Sequence, residues 1–306
     1  MSNILVIKHG SLGDIVQISG ALKDIRNHFQ NNKIHILTTM KFKFLFESCP
    51  YIDEIIIDKR LPRWNFFYLL NLIKNIRSYN FEYCFDLQNS SRTNFYRKNF
   101  KINNWSSSFT ILNQGESKKD FDQEGVIQRF KVQLDRSNIS NTQNVLKPDF
   151  SWAIDEQFNI GHENYLFIAP FCSPKLQNKV WPYFKKLIEL LKIHYPQYKI
   201  LAAPGPSEIG MCKELDLEMI LNNNKPTNIK QLAKIIKNAS YVIANDTGPA
   251  HIAAHLGCKG LAIFGPHTSA KKVSIETENF QVLEVPELKN LTAEKVLDVL
   301  KSKIPT

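Results

Sequence analysis

Ala244-Asn245-Asp246-Thr247-Gly248-Pro249-Ala250-His251-Ile252-Ala253-Ala254 follows directly on the apolar run Tyr241-Val242-Ile243. A short apolar strand that ends in polar residues and opens into a helix of small residues is one half of a βα unit. Pro249 suits the first helical turn, where its missing N–H is no loss. Free amides and the positive end of the helix dipole make this a place for a diphosphate. Thr247 adds a hydroxyl, Gly248 permits close approach, and His251, four residues beyond Thr247, falls on the same helical face. The alternative is an Asp-Thr helix cap followed by a packed histidine.

The same alternation runs outward in both directions. Towards the C-terminus it predicts strands over 260–264 and 280–285, and towards the N-terminus strands over 218–221, 199–203 and 165–170. The intervening helices are predicted over 183–194, 229–237 and 249–256. A second series occupies the first half, with strands over 4–8, 34–38, 54–58, 81–86 and 109–112 and helices over 14–29, 41–47 and 65–78. Residues 114–124 read as a loop. Pro148 and Trp152 mark a boundary, so the expected organisation is α/β with two doubly wound parallel-sheet domains, residues 1–153 and 154–306. The last helical stretch, 292–303, suits either domain. Ligands of such sheets bind beyond the carboxyl ends of the strands, so two Rossmann-like domains facing a central cleft are expected to hold one substrate each.

Bulk properties agree with that plan. A chain of 306 residues with 43% hydrophobic residues has material for two cores. Five scattered cysteines with no C-x-x-C pair indicate a reducing compartment and buried or idle thiols. No basic, apolar and small-residue series resembles a secretory signal, and no run reaches the ~20 apolar residues of a spanning helix. The expected location is cytoplasmic. A formal net charge of +10 attracts phosphates, nucleic acid or anionic headgroups. No helix-turn-helix, zinc-finger or RNA-binding signature is present, so no nucleic-acid partner is expected.

Two more clusters follow strand ends. In Lys8-His9-Gly10-Ser11-Leu12-Gly13-Asp14 the glycines permit a tight turn and Asp14 stands in the first helical turn. Asp14 either takes a proton from an acceptor hydroxyl or stabilises the helix start together with Ser11. Gly-x-x-Gly-Asp is neither a dinucleotide fingerprint nor a Walker loop. In the second half, Pro170-Phe171-Cys172-Ser173-Pro174 precedes Lys179-Val180-Trp181-Pro182. Lys179 suits a leaving diphosphate, or is a solvated lysine like most.

Taken together these clusters resemble glycosyltransferase family 9, the ADP-heptose lipopolysaccharide heptosyltransferase family. The resemblance rests on the K-x-x-S-L-G-D run, Asp86-Leu87-Gln88, the K-x-W-P at Lys179 to Pro182, and Gly205-Pro206-Ser207-Glu208. Above all it rests on D-T-G-P-A-H-I-A-A-H-L-G from Asp246 to Gly257, followed by Phe264-Gly265-Pro266. It implies a GT-B architecture, with an acceptor-binding N-terminal domain and a donor-binding C-terminal one. It also implies an inverting transfer without metal or cofactor, from ADP-heptose to the Kdo and lipid A inner core of lipopolysaccharide. Asp14 matches the family's general base and Lys179 the lysine at the donor phosphates. Asp246, Thr247, Gly248 and His251 match the donor-binding run, with Ser173 and Glu208 as further donor contacts. Lys8, Ser11, Gly13 and Gln88, with Arg92, form the implied acceptor-binding set.

The implied partners are a nucleotide sugar and an acidic glycolipid at the inner face of the cytoplasmic membrane. Lys41, Lys43, Arg60, Arg63, Arg92, Arg97 and Lys98 suit the acidic partner. Trp64, Phe66, Phe67 and Tyr68 either meet a membrane interface or form the buried side of a helix, since Phe67, Leu70 and Ile73 have core spacing. Gly20, Cys258-Lys259 and the segment His267 to Lys272 depart from the family pattern and bear on the donor sugar. Other readings are a family 9-like transferase with another donor or acceptor, and a non-catalytic sugar-nucleotide-binding homologue.

Overall fold

A computed structural model describes residues 2–305 of the chain. They divide into two compact units, the first running to Trp152 and the second starting at Ala153.

The first unit holds β1 (Asn3–Ile7), β2 (Lys33–Thr38), β3 (Glu54–Ile57), β4 (Phe81–Asp86) and β5 (Asn104–Ser106), all parallel, in the order β3-β2-β1-β4-β5. Leu5 is flanked by His35 on one side and Cys84 on the other. Strands covered on both faces lose alternation and become runs such as Ile4-Leu5-Val6-Ile7, each residue fully buried. One face is covered by the helices Phe66–Ser78 and Ser91–Phe100, whose Leu69, Leu72, Ile76, Tyr96 and Phe100 pack on Leu5, Ile7, Leu37 and Ile56. The expected helix over 14–29 is two helices, Leu12–Gln17 and Ser19–His28, joined at Ile18. Gly20 has a packing reason: a Cβ there would lie 2.1 Å from the Asn144 carbonyl oxygen, so only glycine lets these segments meet.

Two predicted elements are corrected. The fifth strand is Asn104–Ser106, and the apolar run Phe109–Leu112 is irregular backbone closed by Ser107 and Thr110, whose hydroxyl donates to the Trp105 carbonyl at 2.7 Å. The stretch 114–124 is not all loop, since Ser117 caps a short helix, Lys118–Phe121.

The second unit holds β6 (Tyr165–Ala169), β7 (Lys199–Ala202), β8 (Glu218–Met219), β9 (Tyr241–Asn245), β10 (Gly260–Phe264) and β11 (Phe280–Glu284), parallel, in the order β11-β10-β9-β6-β7-β8. The final helix, Ala293–Lys301, belongs to this unit. It packs on Phe184–His194, and the buried Trp181 indole donates to the Leu291 carbonyl at 2.8 Å. In each sheet the chain winds outward from the first strand one way and then the other, which leaves a topological switch point between β1 and β4 and between β6 and β9.

The five thiols are buried and unbridged. Burial pushes those of Cys49, Cys172 and Cys212 up to about 12. Among the described residues no helix is long and apolar enough to cross a membrane.

Candidate active site

Both switch points carry the residues singled out above. In the second unit Asp246 follows β9 and is 5% exposed. Neither side chain caps the helix that follows. Thr247 is the N-cap residue of the helix Gly248–His255 but makes no side-chain cap hydrogen bond, and the Asp246 carboxylate turns away to cations and imidazoles. Lys179 Nζ donates to its Oδ2 at 2.5 Å, His267 Nε2 lies 2.9 Å from the same oxygen, and His251 Nε2 is 3.9 Å from Oδ1. Burial alone would raise the Asp246 pKa, but Lys179, His267 and His251 outweigh it and hold the carboxyl below its ordinary value. Asp246 therefore stays ionised and fixes the lysine and both imidazoles around the helix N-terminus. Behind them His255 is driven down to about 3 by burial, reinforced by His251, and is neutral.

Asn245 ties the strand ends together. Its Nδ2 donates to the Pro170 carbonyl at 2.5 Å and its Oδ1 accepts from the Trp181 amide at 3.1 Å, which sets the segment carrying Lys179 against β9. Glu208 and Thr247 border a small cavity of about 70 Å³ at the carboxyl ends of β6 and β7, with Ala169, Pro170, Ala203 and Pro204 on its walls. The Glu208 Oε2 accepts from the Gly205 amide at 2.8 Å and holds that turn. Ser173 is exposed, and its carbonyl accepts from the Leu176 amide at 2.7 Å. Its side chain is not drawn into the Asp246 cluster.

In the first unit Lys8, Ser11, Asp14 and Gln88 converge. The Ser11 amide and hydroxyl both donate to Asp14 Oδ2, at 2.7 and 2.9 Å, so Asp14 does stabilise its helix start. Its Oδ1 lies 3.4 Å from Lys8 Nζ, and the side chain is 38% exposed. Burial raises the Asp14 pKa, yet Lys8 and Ser11 more than offset it, so the carboxyl lies below its usual value and is ionised at neutral pH. Lys8 is buried, donates to the Leu87 carbonyl at 3.0 Å and lies 5.3 Å over the Phe130 ring. The His9 amide donates to Gln88 Oε1 at 2.9 Å, which joins the β1 and β4 loops. Gly13 is buried within the first helical turn.

Arg92 is placed elsewhere, in a network that the sequence did not signal. Asp58, fully buried just beyond β3, accepts from Tyr96 Oη at 2.7 Å, the Arg60 amide at 2.7 Å and Tyr68 Oη, and His9 Nε2 lies 2.9 Å from its Oδ2. Arg92 Nε donates to Tyr96 Oη at 2.7 Å, and a terminal nitrogen donates to the Leu61 carbonyl. Burial works against the Asp58 charge, but the His9, Tyr68 and Tyr96 contacts hold its carboxyl well below the carboxylate range. One buried carboxylate thus locks together the ends of β1 and β3 and both covering helices.

Asp86, opposite Ile7 in the sheet, is another buried acid. Its Oδ1 accepts the Gln88 and Asn89 amides at 3.1 and 2.9 Å, but burial prevails and pushes the carboxyl up to about 6. The folded state then binds this proton more tightly than the unfolded chain. That stabilisation is full at low pH and is lost as pH rises through about 6. Asp86→Asn keeps the amide acceptor and removes the titration. Urea unfolding should show the Asp86 contribution, a loss of about 2 kcal/mol between pH 4.5 and 8, disappear in the variant. An unaltered pH dependence would refute the shift.

Among the described residues no group of three His, Cys, Asp or Glu side chains is arranged to hold a metal ion.

Comparison with known proteins adds a family to this geometry. The model of glycosyltransferase family 9 (heptosyltransferase) matches residues 69–300. Lipopolysaccharide heptosyltransferase 1 of Campylobacter coli is 22% identical over 324 residues, which cover 96% of this chain and 92% of that protein. E. coli heptosyltransferase WaaC, solved with ADP, superposes with a TM-score of 0.75 at 17% identity, covering 98% of this chain and 99% of that one. The family 9 glycosyl transferase of Veillonella parvula gives a TM-score of 0.77 at 17% identity, covering 98% and 96%. At such identities the structural likeness speaks for the fold, two parallel-sheet α/β domains of the GT-B heptosyltransferase type. The family match spans more than half of the chain, including the β6 and β9 switch point, and the chain therefore belongs to glycosyltransferase family 9, the heptosyltransferase family.

Proposed function

We propose that this chain transfers heptose from ADP-heptose to the Kdo and lipid A inner core of lipopolysaccharide, with inversion and without a metal ion. The observation that carries the reading is the Lys179, Asp246, His251 and His267 cluster at a helix N-terminus beside a switch point. In this reading residues 154–306 form the donor domain and residues 1–153 the acceptor domain. The diphosphate lies at the start of Gly248–His255, where Lys179, Thr247, the Gly248 backbone and His251 meet its oxygens. Glu208 serves the nucleoside side and Ser173 a nearby donor contact.

Asp14 acts as the base, with Lys8, Ser11, Gly13, Gln88 and Arg92 on the acceptor side. Its Oδ1 takes the acceptor hydroxyl proton while that oxygen bonds to the anomeric carbon. The bond from the anomeric carbon to the phosphate oxygen breaks, and ADP leaves with the electron pair. Lys179 and the helix N-terminus stabilise the charge that develops on ADP. A single displacement inverts the anomeric centre. The lipid-linked acceptor implies work at the inner face of the cytoplasmic membrane.

Calorimetric titration with ADP, UDP, GDP and ADP-heptose in EDTA tests the donor. Selective binding of ADP and ADP-heptose is expected. Preference for UDP or GDP would overturn the donor, and no nucleotide binding would overturn the reading.

A further inference from the structure

We propose that the outer face of the helix Phe66–Ser78, with the turn leading into it, is a membrane-binding surface that seats the first unit on an anionic phospholipid bilayer. The inference rests on the proposed lipid-linked acceptor and names the surface that meets the lipid.

The helix is apolar on two sides. Its inner stripe, Leu69, Leu72 and Ile76, is buried in the core of the unit. On the outer side Phe67 is 85% exposed, Phe66 71% and Leu70 63%, and Trp64 in the preceding turn is 75% exposed. Single exposed apolar residues are ordinary, but four large ones within seven positions form a patch that calls for an apolar partner. The helix is also held firmly. Asn65 accepts from the Tyr68 amide at 3.1 Å, and Tyr68 Oη donates to the buried Asp58.

Charge selects the partner. Lys59, Arg60, Arg63, Lys74 and Arg77 flank the patch in sequence and are exposed, and no acidic residue occurs from Lys59 to Phe81. Among the described residues none of Lys59, Arg60, Arg63 and Lys74 has a carboxylate partner within salt-bridge distance. A second copy of the chain would bring this cationic rim against its own like, because a two-fold interface repeats the same patch. An anionic bilayer satisfies both features, with aromatic rings at the headgroup boundary and Lys and Arg at the phosphates. Thirteen residues span about 20 Å, too short to cross a bilayer but suited to lie in its surface. Through Tyr68, Asp58 and His9 the surface is tied to the loop that carries Lys8 and Asp14.

The test uses the full chain in sedimentation with vesicles of phosphatidylcholine, with and without phosphatidylglycerol, alongside ADP calorimetry. The protein should bind the mixed vesicles, weaken as salt rises, and lose about tenfold or more in partition when Phe67→Ser and Leu70→Ser are combined. ADP affinity should be unchanged in that variant. Brominated phosphatidylglycerol should quench the protein's fluorescence, and Trp64→Phe should remove most of that quenching. Equal partition of wild type and double variant overturns the proposal, as does absent vesicle binding by a chain that still binds ADP. A dimer in solution that the double substitution dissolves, without vesicle binding, would give the face to a second copy instead. Loss of ADP binding alone would refute the donor reading and leave the surface standing on the vesicle result.

Discussion

Asp14→Asn should lower turnover by about a hundredfold to ten-thousandfold while leaving ADP affinity within twofold of wild type. Asparagine keeps an oxygen that accepts from the Ser11 amide and hydroxyl, so the helix start survives. What disappears is the proton acceptor at Oδ1, the oxygen that faces Lys8 at 3.4 Å. Asp14→Ala removes both functions and should in addition cost about 1 kcal/mol of stability, the usual value of a lost helix-start contact. The two variants separate the local role from the chemical one. If stability alone changes and turnover does not, Asp14 is a helix-start residue and the base lies elsewhere. Because Lys8 and Ser11 hold the Asp14 carboxyl low, the ionised base persists well into mild acid. An acid limb in the rate profile near neutrality would therefore belong to another group.

The strands were readable because a buried parallel strand is a dense run of Ile, Val, Leu and Phe, and Phe81–Asp86, Tyr241–Asn245 and Gly260–Phe264 have the predicted limits. Failures came where the signal was not periodic burial. The edge strand Asn104–Ser106 has one large apolar residue, Trp105, and lost out to the more apolar 109–112. The helix Ser91–Phe100 went unread because Arg92, Arg97 and Lys98 dilute its apolar positions, although Ser90 accepts from the Thr93 amide at its start. The helix over 65–78 carries two stripes of similar spacing, and only packing selects Leu69, Leu72 and Ile76 for the interior.

The candidate sites divide in the same way. Residues adjacent to a strand end, such as Lys8, Asp14 and Asp246, were legible because topology sends ligands there. His267 reaches Asp246 across 21 positions, and Asp58 gathers His9, Tyr68 and Tyr96 from separate elements. Such partners have no local pattern, and tertiary structure alone brings them together.

Lys179→Ala should weaken ADP binding by about tenfold to a hundredfold and also reduce stability, and the two effects have one origin. Its ammonium is the first partner of an Asp246 carboxylate whose side chain is 4% exposed. Without the lysine, that buried charge keeps, among the described residues, His267 at 2.9 Å and the more distant His251. Removing one member of a buried pair leaves the other uncompensated, and since the Lys179 side chain is 20% exposed the cost should be about 2 kcal/mol, less than for a fully buried pair. Asp246→Asn in the Lys179→Ala background relieves that charge and should recover most of the lost stability. It should not recover ADP affinity, because no cation is restored for the phosphates. Denaturant unfolding and calorimetry on the single and double variants measure both quantities. If ADP affinity returns together with stability, Lys179 acts only by holding Asp246. If it stays low, the lysine itself meets the diphosphate.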